Sequence, residues 1–309
     1  MNLHDKIYVA GHNGLVGSSI VNRLKELGFT NILTASRSEL DLTNQSDVDS
    51  FFSKEKPDYV FDSAAKVGGV HANDTYSAQF IYDNLMIQTN LIQSSYKYGV
   101  KKFLFLGSVC IYPKFAELPV KEESLLTGSL EPTNDCYSIA KIAGIKMCQA
   151  YNKQYKTNFI SVMPANIYGP KDRFSVEHGH VIPGLIYKFV TATENNDASV
   201  TCWGDGSPTR EFLYSDDLAD ACIFLMENYN SSDIINIGID NEITMKELAE
   251  KIKNITGFGG ELIWDTTKPN GVPKRKICNQ KLYDMGWRPK VGLDEGLKTT
   301  IEWFKENRG

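Results

Sequence analysis

Short apolar runs alternate with longer amphipathic stretches through the first 165 residues of the chain. The runs 6–10 (KIYVA), 31–35 (NILTA), 59–63 (YVFDS), 102–106 (KFLFL) and 159–163 (FISVM) are rich in β-branched and aromatic residues. Such runs predict strands with both faces buried. Between them, 18–27 has helical periodicity and stops at Gly28, a helix begins near Thr43, 73–98 reads as a long helix ended by Gly99, and 135–155 reads as another. Strand and helix in turn predict a parallel, doubly wound α/β sheet.

After Gly169 the rhythm changes. Residues 171–179 are polar and loop-like, 181–194 helical, and 202–212 a glycine-rich turn leading to a strand. A helix follows at 216–229 and a strand at 234–237. Thr244 with Glu247 three residues on forms a capping box opening a helix over 244–255. The segment 264–276 holds a basic turn, and 293–307 is a terminal helix. There is no internal repeat and no long linker, so the second part is expected to pack directly on the first. Residues 1–170, completed by parts of 210–240, would form a dinucleotide-binding domain. Residues 171–209 and 241–309 would form a smaller, interleaved α/β substrate domain, with the cleft between them as the expected site.

Composition narrows the function. The 309 residues are 42% apolar and carry a net charge of −5, with no polybasic arm, which argues against a nucleic-acid partner. No apolar run approaches the ~18–20 residues of a membrane span, and the N-terminus does not resemble a signal peptide. Six cysteines without paired spacing suggest reduced thiols in a cytoplasmic protein. His178-Gly179-His180 is too short and isolated for a metal site, and no metal is expected.

Two stretches carry chemistry. Gly11-x-x-Gly14-x-x-Gly17 lies between the first strand and its helix, the context a dinucleotide fingerprint requires. Gly11 and Gly14 let the backbone approach a pyrophosphate, Gly17 lets the helix lie close on the strand, and the helix N-terminus offers free N–H groups. The second strand runs into Ser36-Arg37, where a guanidinium suits a 2′-phosphate. This tilts the choice to NADPH, with a solvated loop charge as the alternative. Asp41 follows too late for a confident ribose ligand. In the second stretch, Tyr137 and Lys141 stand one turn apart on a helix. The cation is expected to lower the phenol's pKa so that it exchanges a proton with a substrate oxygen. Ser108, just past a buried strand, could donate to the same oxygen. Alone, each piece also fits an ordinary amphipathic helix or loop.

Together, Gly11-x-x-Gly14-x-x-Gly17, Ser108 and Tyr137-x-x-x-Lys141 resemble the extended short-chain dehydrogenase/reductases that modify nucleotide sugars. The stretches AAKVGG (64–69), GSVCIYP (107–113), EPTN (131–134), YSIAKIAG (137–144), HVIP (180–183) and REFL (210–213) resemble the GDP-L-fucose synthase family over nearly the whole chain. The resemblance implies a Rossmann-like fold and NADPH-dependent reduction of a GDP-4-keto-6-deoxy sugar at C4, after epimerisation at C3 and C5. It implies that Tyr137 is the general acid to the C4 oxygen, with Ser108 sharing that oxygen and Lys141 holding the nicotinamide ribose. Cys110 and His180 match the epimerisation base and acid; on the residues alone they read as a core cysteine and an ordinary cap. The implied NADPH site comprises Gly11, Asn13, Gly14, Leu15, Val16 and Gly17 in the first turn, then Arg37, Asp41, Leu42, Ala64 and Ala65. Leu106, Lys141, Pro164, Asn166, Ile167 and His180 complete it. Asn166, Lys188, Trp203, Arg210 and Arg275 match substrate contacts; read alone, the cations are surface charges and Trp203 core.

Val109, Lys188 and Asn13 depart from the family pattern. They leave room for a related substrate, such as a GDP-4-keto-heptose reduced by an enzyme that does not epimerise. A non-catalytic NADP(H)-binding sensor is a further alternative. A homodimer through the 73–98 and 135–155 helices is also implied.

Overall fold

The computed structural model describes every residue except 177, 178, 269, 271 and 309, and all side chains among the rest except that of residue 70. The triplet His178-Gly179-His180 and the basic turn around Pro269 and Gly271 therefore fall partly outside the described residues.

The first half of the chain runs β1 (Ile7–Ala10), α1 (Leu15–Glu26), β2 (Ile32–Leu33), α2 (Gln45–Glu55), β3 (Tyr59–Asp62), α3 (Val70–Thr75), α4 (Ser77–Lys97), β4 (Lys102–Leu106), α5 (Asp135–Tyr155) and β5 (Phe159–Pro164). The second half runs β6 (Asn166–Tyr168), α6 (Val181–Asn195), β7 (Ser199–Trp203), β8 (Thr209–Tyr214), α7 (Ser215–Asn228), β9 (Ile235–Ile237), β10 (Glu242–Thr244), α8 (Met245–Thr256), β11 (Glu261–Asp265), α9 (Gln280–Asp284) and α10 (Leu293–Asn307).

Six strands form one sheet in the order β2-β1-β3-β4-β5-β9, every pair parallel. Alternation along the strands divides the core into two layers. Val9, Phe61, Leu104 and Ile160 face α1 and α7, meeting Ile20, Leu24, Leu218 and Cys222. Tyr8, Val60, Phe103 and Phe105 face α2, α4 and α5, meeting Phe52, Leu91 and Ile145. Each fully buried aromatic or aliphatic side chain contributes ~1.5–3 kcal/mol, so the apolar runs determine which strands sit centrally. Strand order reverses between β1 and β3. In open α/β sheets the crevice outside the strand carboxyl ends at such a reversal is where ligands bind.

The second core joins α6, α8 and α10 to β7 and β8, around Phe189, Phe212, Leu248 and Ile301. A three-stranded sheet β10-β8-β6 and a pair β11-β7 complete this part. Among the described residues, no helix is long and apolar enough to cross a membrane.

Several expectations shift in detail. The second strand pairs only over Ile32–Leu33. Thr43 does not cap α2: its hydroxyl donates to Asp41 at 2.8 Å, and Asn44 accepts from the Ser46 and Asp47 N–H groups instead. The 73–98 helix is two helices, broken at Tyr76. Trp203 and Cys202 end a strand of their own, β7, before the glycine turn. The capping box forms, with the Glu247 N–H donating to the Thr244 hydroxyl at 3.1 Å and the Thr244 N–H to the Glu247 carboxylate at 3.0 Å.

Candidate active site

The glycine turn closes on itself at the reversal point. The Gly14 N–H donates to the Gly11 carbonyl at 3.0 Å, and Gly11 takes φ +79°, a region glycine enters without a Cβ penalty. A Cβ on Gly17 would lie 2.2 Å from the Gly11 oxygen, so close packing of α1 on the turn requires glycine there. Gly14 differs. Its φ of −82° suits any residue, and a Cβ would meet only the Gly11 oxygen, at 3.4 Å. Nothing among the described residues demands glycine at that point, which fits a ligand approaching the backbone. No side chain caps α1, so the N–H groups of Leu15 and Val16 have no side-chain acceptor. Asn13 is exposed beside them.

The other expected cofactor residues line the carboxyl ends of successive strands. Ala64 and Ala65 follow β3, Leu106 ends β4, Pro164 ends β5, and Asn166 and Ile167 lie in β6. Asn166 donates to the Glu211 carbonyl at 3.0 Å. Arg37 lies beyond β2, exposed, with no hydrogen bond or ion pair to any described residue. Its charge reaches Asp41, whose carboxyl is held low mainly by hydrogen bonds from the Thr43 N–H and hydroxyl. The Leu42 carbonyl is tied to α4 by Asn90 at 2.9 Å.

Past β4 the chain forms a single 3-10 turn, Val109–Ile111. The Ser108 hydroxyl accepts from the Cys110 N–H at 3.3 Å. From the start of α5 the Asn134 amide donates to the Cys110 sulfur at 3.4 Å, and the Ser138 hydroxyl lies 2.9 Å from the Cys110 carbonyl. Cys110 is thus partly exposed and held on two sides. Tyr137 opens onto the same place. Burial pushes its phenol above the ordinary tyrosine value, the nearby Cys110 adds to this, and a hydrogen bond with Ser108 opposes it.

This corrects the expectation that Lys141 lowers the tyrosine pKa. The Lys141 ammonium donates to the Leu106 carbonyl at 2.7 Å and sits 4.7 Å from the centre of the Phe105 ring, against 6.0 Å from the Tyr137 ring. It is itself buried and pulled down to about 8 by that burial, with the Asp62 carboxylate opposing. Desolvation of the phenol therefore dominates. A phenol that keeps its proton at neutral pH is in the form a general acid needs.

Arg210 and Arg275 stand together. The bridge Thr209↔Lys274 places them side by side, and burial followed by the Arg275 charge lowers the Arg210 pKa. Arg210 donates to the Thr209 carbonyl at 2.7 Å. Arg275 donates to the Val109 carbonyl at 3.0 Å, between Ser108 and Cys110. Neither has a carboxylate partner among the described residues. Two adjacent guanidinium groups without a counter-ion suit a diphosphate. Lys188 donates to the Thr201 carbonyl at 2.8 Å. Trp203, read alternatively as core, is 63% exposed, with the Lys268 ammonium 5.8 Å from its ring.

His180 is less closely integrated. It precedes α6, exposed; desolvation raises the pKa of half-buried Asp172, and His180 opposes that rise. Among the described residues, no hydrogen bond joins it to Ser108, Cys110 or Tyr137.

Two side chains escaped the sequence reading. Asn134, the last residue of the EPTN stretch, contacts the thiol. Asp62 is a carboxylate that is 1% exposed at the end of β3. A charged residue closing an otherwise apolar strand was the available signal.

Comparison with known proteins agrees with this arrangement. Residues 7–238 match the family described as "NAD dependent epimerase/dehydratase family". GDP-L-fucose synthase 1 of Arabidopsis thaliana is 57% identical over 98% of this chain and 94% of its own length. GDP-L-fucose synthase of Escherichia coli (strain K12) is 44% identical over 98% and 97%. Among solved structures, MlghC, a GDP-mannoheptose C4 reductase from Campylobacter jejuni with NADP bound, is 41% identical with a TM-score of 0.90, covering 99% of both chains. The chain therefore belongs to the NAD dependent epimerase/dehydratase family and, within it, to the GDP-L-fucose synthase family.

Proposed function

We propose that this chain epimerises C3 and C5 of a GDP-linked 4-keto-6-deoxy sugar and then reduces C4 with NADPH. The observation that carries the reading is the joining of three elements at the carboxyl end of β4. Ser108 and Cys110 lie in one turn, Tyr137 and Asn134 approach it from α5, and Arg275 reaches its backbone from the substrate side.

The glycine turn, the uncapped N-terminus of α1 and the uncommitted Arg37 suit the pyrophosphate and the 2′-phosphate of NADPH. NADPH, when bound, supplies the hydride to C4. Lys141 would hold the nicotinamide ribose. Tyr137 gives its proton to the C4 oxygen, and Ser108 hydrogen-bonds that oxygen. Before reduction, the C4 ketone acidifies the hydrogens on its neighbouring carbons. Cys110 removes a proton from one face and His180 returns one to the other, which inverts the centre. Arg210 and Arg275 take the diphosphate; Trp203 offers an exposed aromatic face to the nucleotide, with Lys188 and Asn166 beside the substrate.

Residues 1–170 with parts of 210–240 then serve the cofactor, and 171–209 with 241–309 serve the sugar nucleotide. We place the protein in the cytoplasm, as a homodimer through α4 and α5.

A second reading is C4 reduction alone, on a GDP-4-keto-heptose. The likeness to the GDP-mannoheptose C4 reductase favours it. Incubation with GDP-4-keto-6-deoxymannose in heavy water without NADPH separates the two. Deuterium at C3 and C5 is the expected result. No incorporation, with C4 reduction intact, establishes the second reading. NADPH binding without consumption of any GDP-keto sugar overturns both.

A further inference from the structure

Asp62 is unusual for a residue at the edge of a dinucleotide site. Strand alternation turns it to the same face as Val60, toward α4 and α5. It pairs in register with Phe105, the residue whose ring lies beneath the Lys141 ammonium at 4.7 Å. One carboxylate oxygen accepts from the Ala64 N–H at 3.2 Å. The other is buried with no hydrogen-bond partner. Lys141 is 3% exposed, and of its three donors one reaches a described acceptor, the Leu106 carbonyl. An unpaired buried charge is costly, and two opposite charges in one dry layer offset each other.

We propose that Asp62 is a positioning residue whose buried carboxylate holds Lys141 in its ammonium form at the floor of the active site. The inference rests on the role given to Lys141 above. Other groups facing the pair cannot substitute. Tyr8 from β1 and Cys148 from α5 face Asp62, and burial pushes both up, so they stay uncharged at neutral pH. Tyr137 from α5 faces Lys141 and is likewise protonated. From α4, Gln88 is neutral and donates to the Ala140 carbonyl at 2.6 Å. Asp62 is the carboxylate whose field acts on Lys141, and the effect is mutual: burial raises Asp62 to about 6, and Lys141 is the first influence opposing it.

Without Asp62, no carboxylate opposes the burial of Lys141, which keeps only the Leu106 carbonyl and the Phe105 ring. The ammonium then loses its proton at lower pH, and the alkaline limb of the reduction rate moves down with it. A nearby opposite charge shifts a pKa by ~1–3 units.

The test is a titration of protein labelled with carbon-13 at lysine Cε, with the Lys141 resonance identified by its loss in Lys141→Met. In the unmodified protein the midpoint is expected near 8. Asp62→Asn, and Asp62→Leu as a variant with no buried polar group to satisfy, should each lower that midpoint by about one unit or more. The ratio of the reduction rate at about pH 8 to that at about pH 6 should fall at least about fivefold relative to the unmodified protein. An unmoved midpoint in both variants, or a uniform loss of rate with unchanged pH profile, overturns the proposal. Failure of the unmodified protein to consume any GDP-keto sugar would sink the functional reading instead, and would leave the titration result standing.

Discussion

Gly14→Ala and Gly17→Ala lie one helical turn apart and should fail in different ways. At Gly17 the new methyl would sit 2.2 Å from the Gly11 oxygen, 2.6 Å from its carbonyl carbon and 2.7 Å from the Ser63 hydroxyl. Two of these are backbone atoms held by the turn, so α1 must move by roughly an ångström to restore ordinary contact. Overpacking of this kind costs ~1–3 kcal/mol, and for a chain of this size each 1 kcal/mol lowers Tm by ~2 °C. A fall of ~2–6 °C is expected, and NADPH affinity should drop as well because the helix N-terminus is displaced. At Gly14 the methyl meets only the Gly11 oxygen, at 3.4 Å, and the backbone is already extended. Stability should change by ~1 kcal/mol or less, the scale of a helix-cap substitution. If a pyrophosphate lies against that backbone, the methyl occupies its space, and a loss of ~1.4–3 kcal/mol weakens NADPH binding ~10–100-fold. Thermal unfolding of the cofactor-free protein and fluorescence titration with NADPH read the two quantities separately. A Gly14→Ala protein that binds NADPH within about threefold of the unmodified chain would refute the placement of the phosphates. A Gly17→Ala protein with unchanged Tm would refute the packing argument.

Arg37→Ala should weaken NADPH by at least about tenfold and leave NADH nearly unchanged, because the guanidinium has no hydrogen-bond or ion-pair partner among the described residues to lose and charged pairs contribute about 1.5 kcal/mol or more; an unchanged preference measured by parallel titrations rejects the 2′-phosphate reading. Asn134→Ala should slow deuterium exchange at C3 and C5 several-fold more than it slows reduction of an already epimerised ketone, since its amide reaches the Cys110 sulfur. Equal slowing of both would mean that Asn134 acts only by holding the loop.

What could be read from the chain follows the range of the interactions involved. The glycine turn, the capping box at Thr244 and the Tyr137–Lys141 pair are local, and their spacing carries them. The central strands were legible because both of their faces are buried, which leaves a continuous apolar signature. The strands β6, β10 and β11 lack it, being defined by partners elsewhere in the chain. Asn134 and Cys110 are 24 residues apart, and Arg275 lies 166 residues from Val109. No periodicity encodes either meeting.

The Tyr137–Lys141 pair shows where local reading misleads. Helical spacing correctly put the two side chains on one face, and the inference that the cation must lower the phenol's pKa assumed that proximity along the helix outweighs burial. In the folded chain the ammonium is turned toward the Leu106 carbonyl and the Phe105 ring, and both groups are desolvated. Burial disfavours the charged form of each, so it raises the tyrosine and lowers the lysine. The lysine therefore keeps its charge at neutral pH more fully with a counter-charge of its own. The buried carboxylate of Asp62, which closes a strand where the pattern calls for an apolar residue, fills that need from another element, with α3, α4 and β4 between them in sequence. The local conflict in the strand and the energetic demand of the site have one explanation.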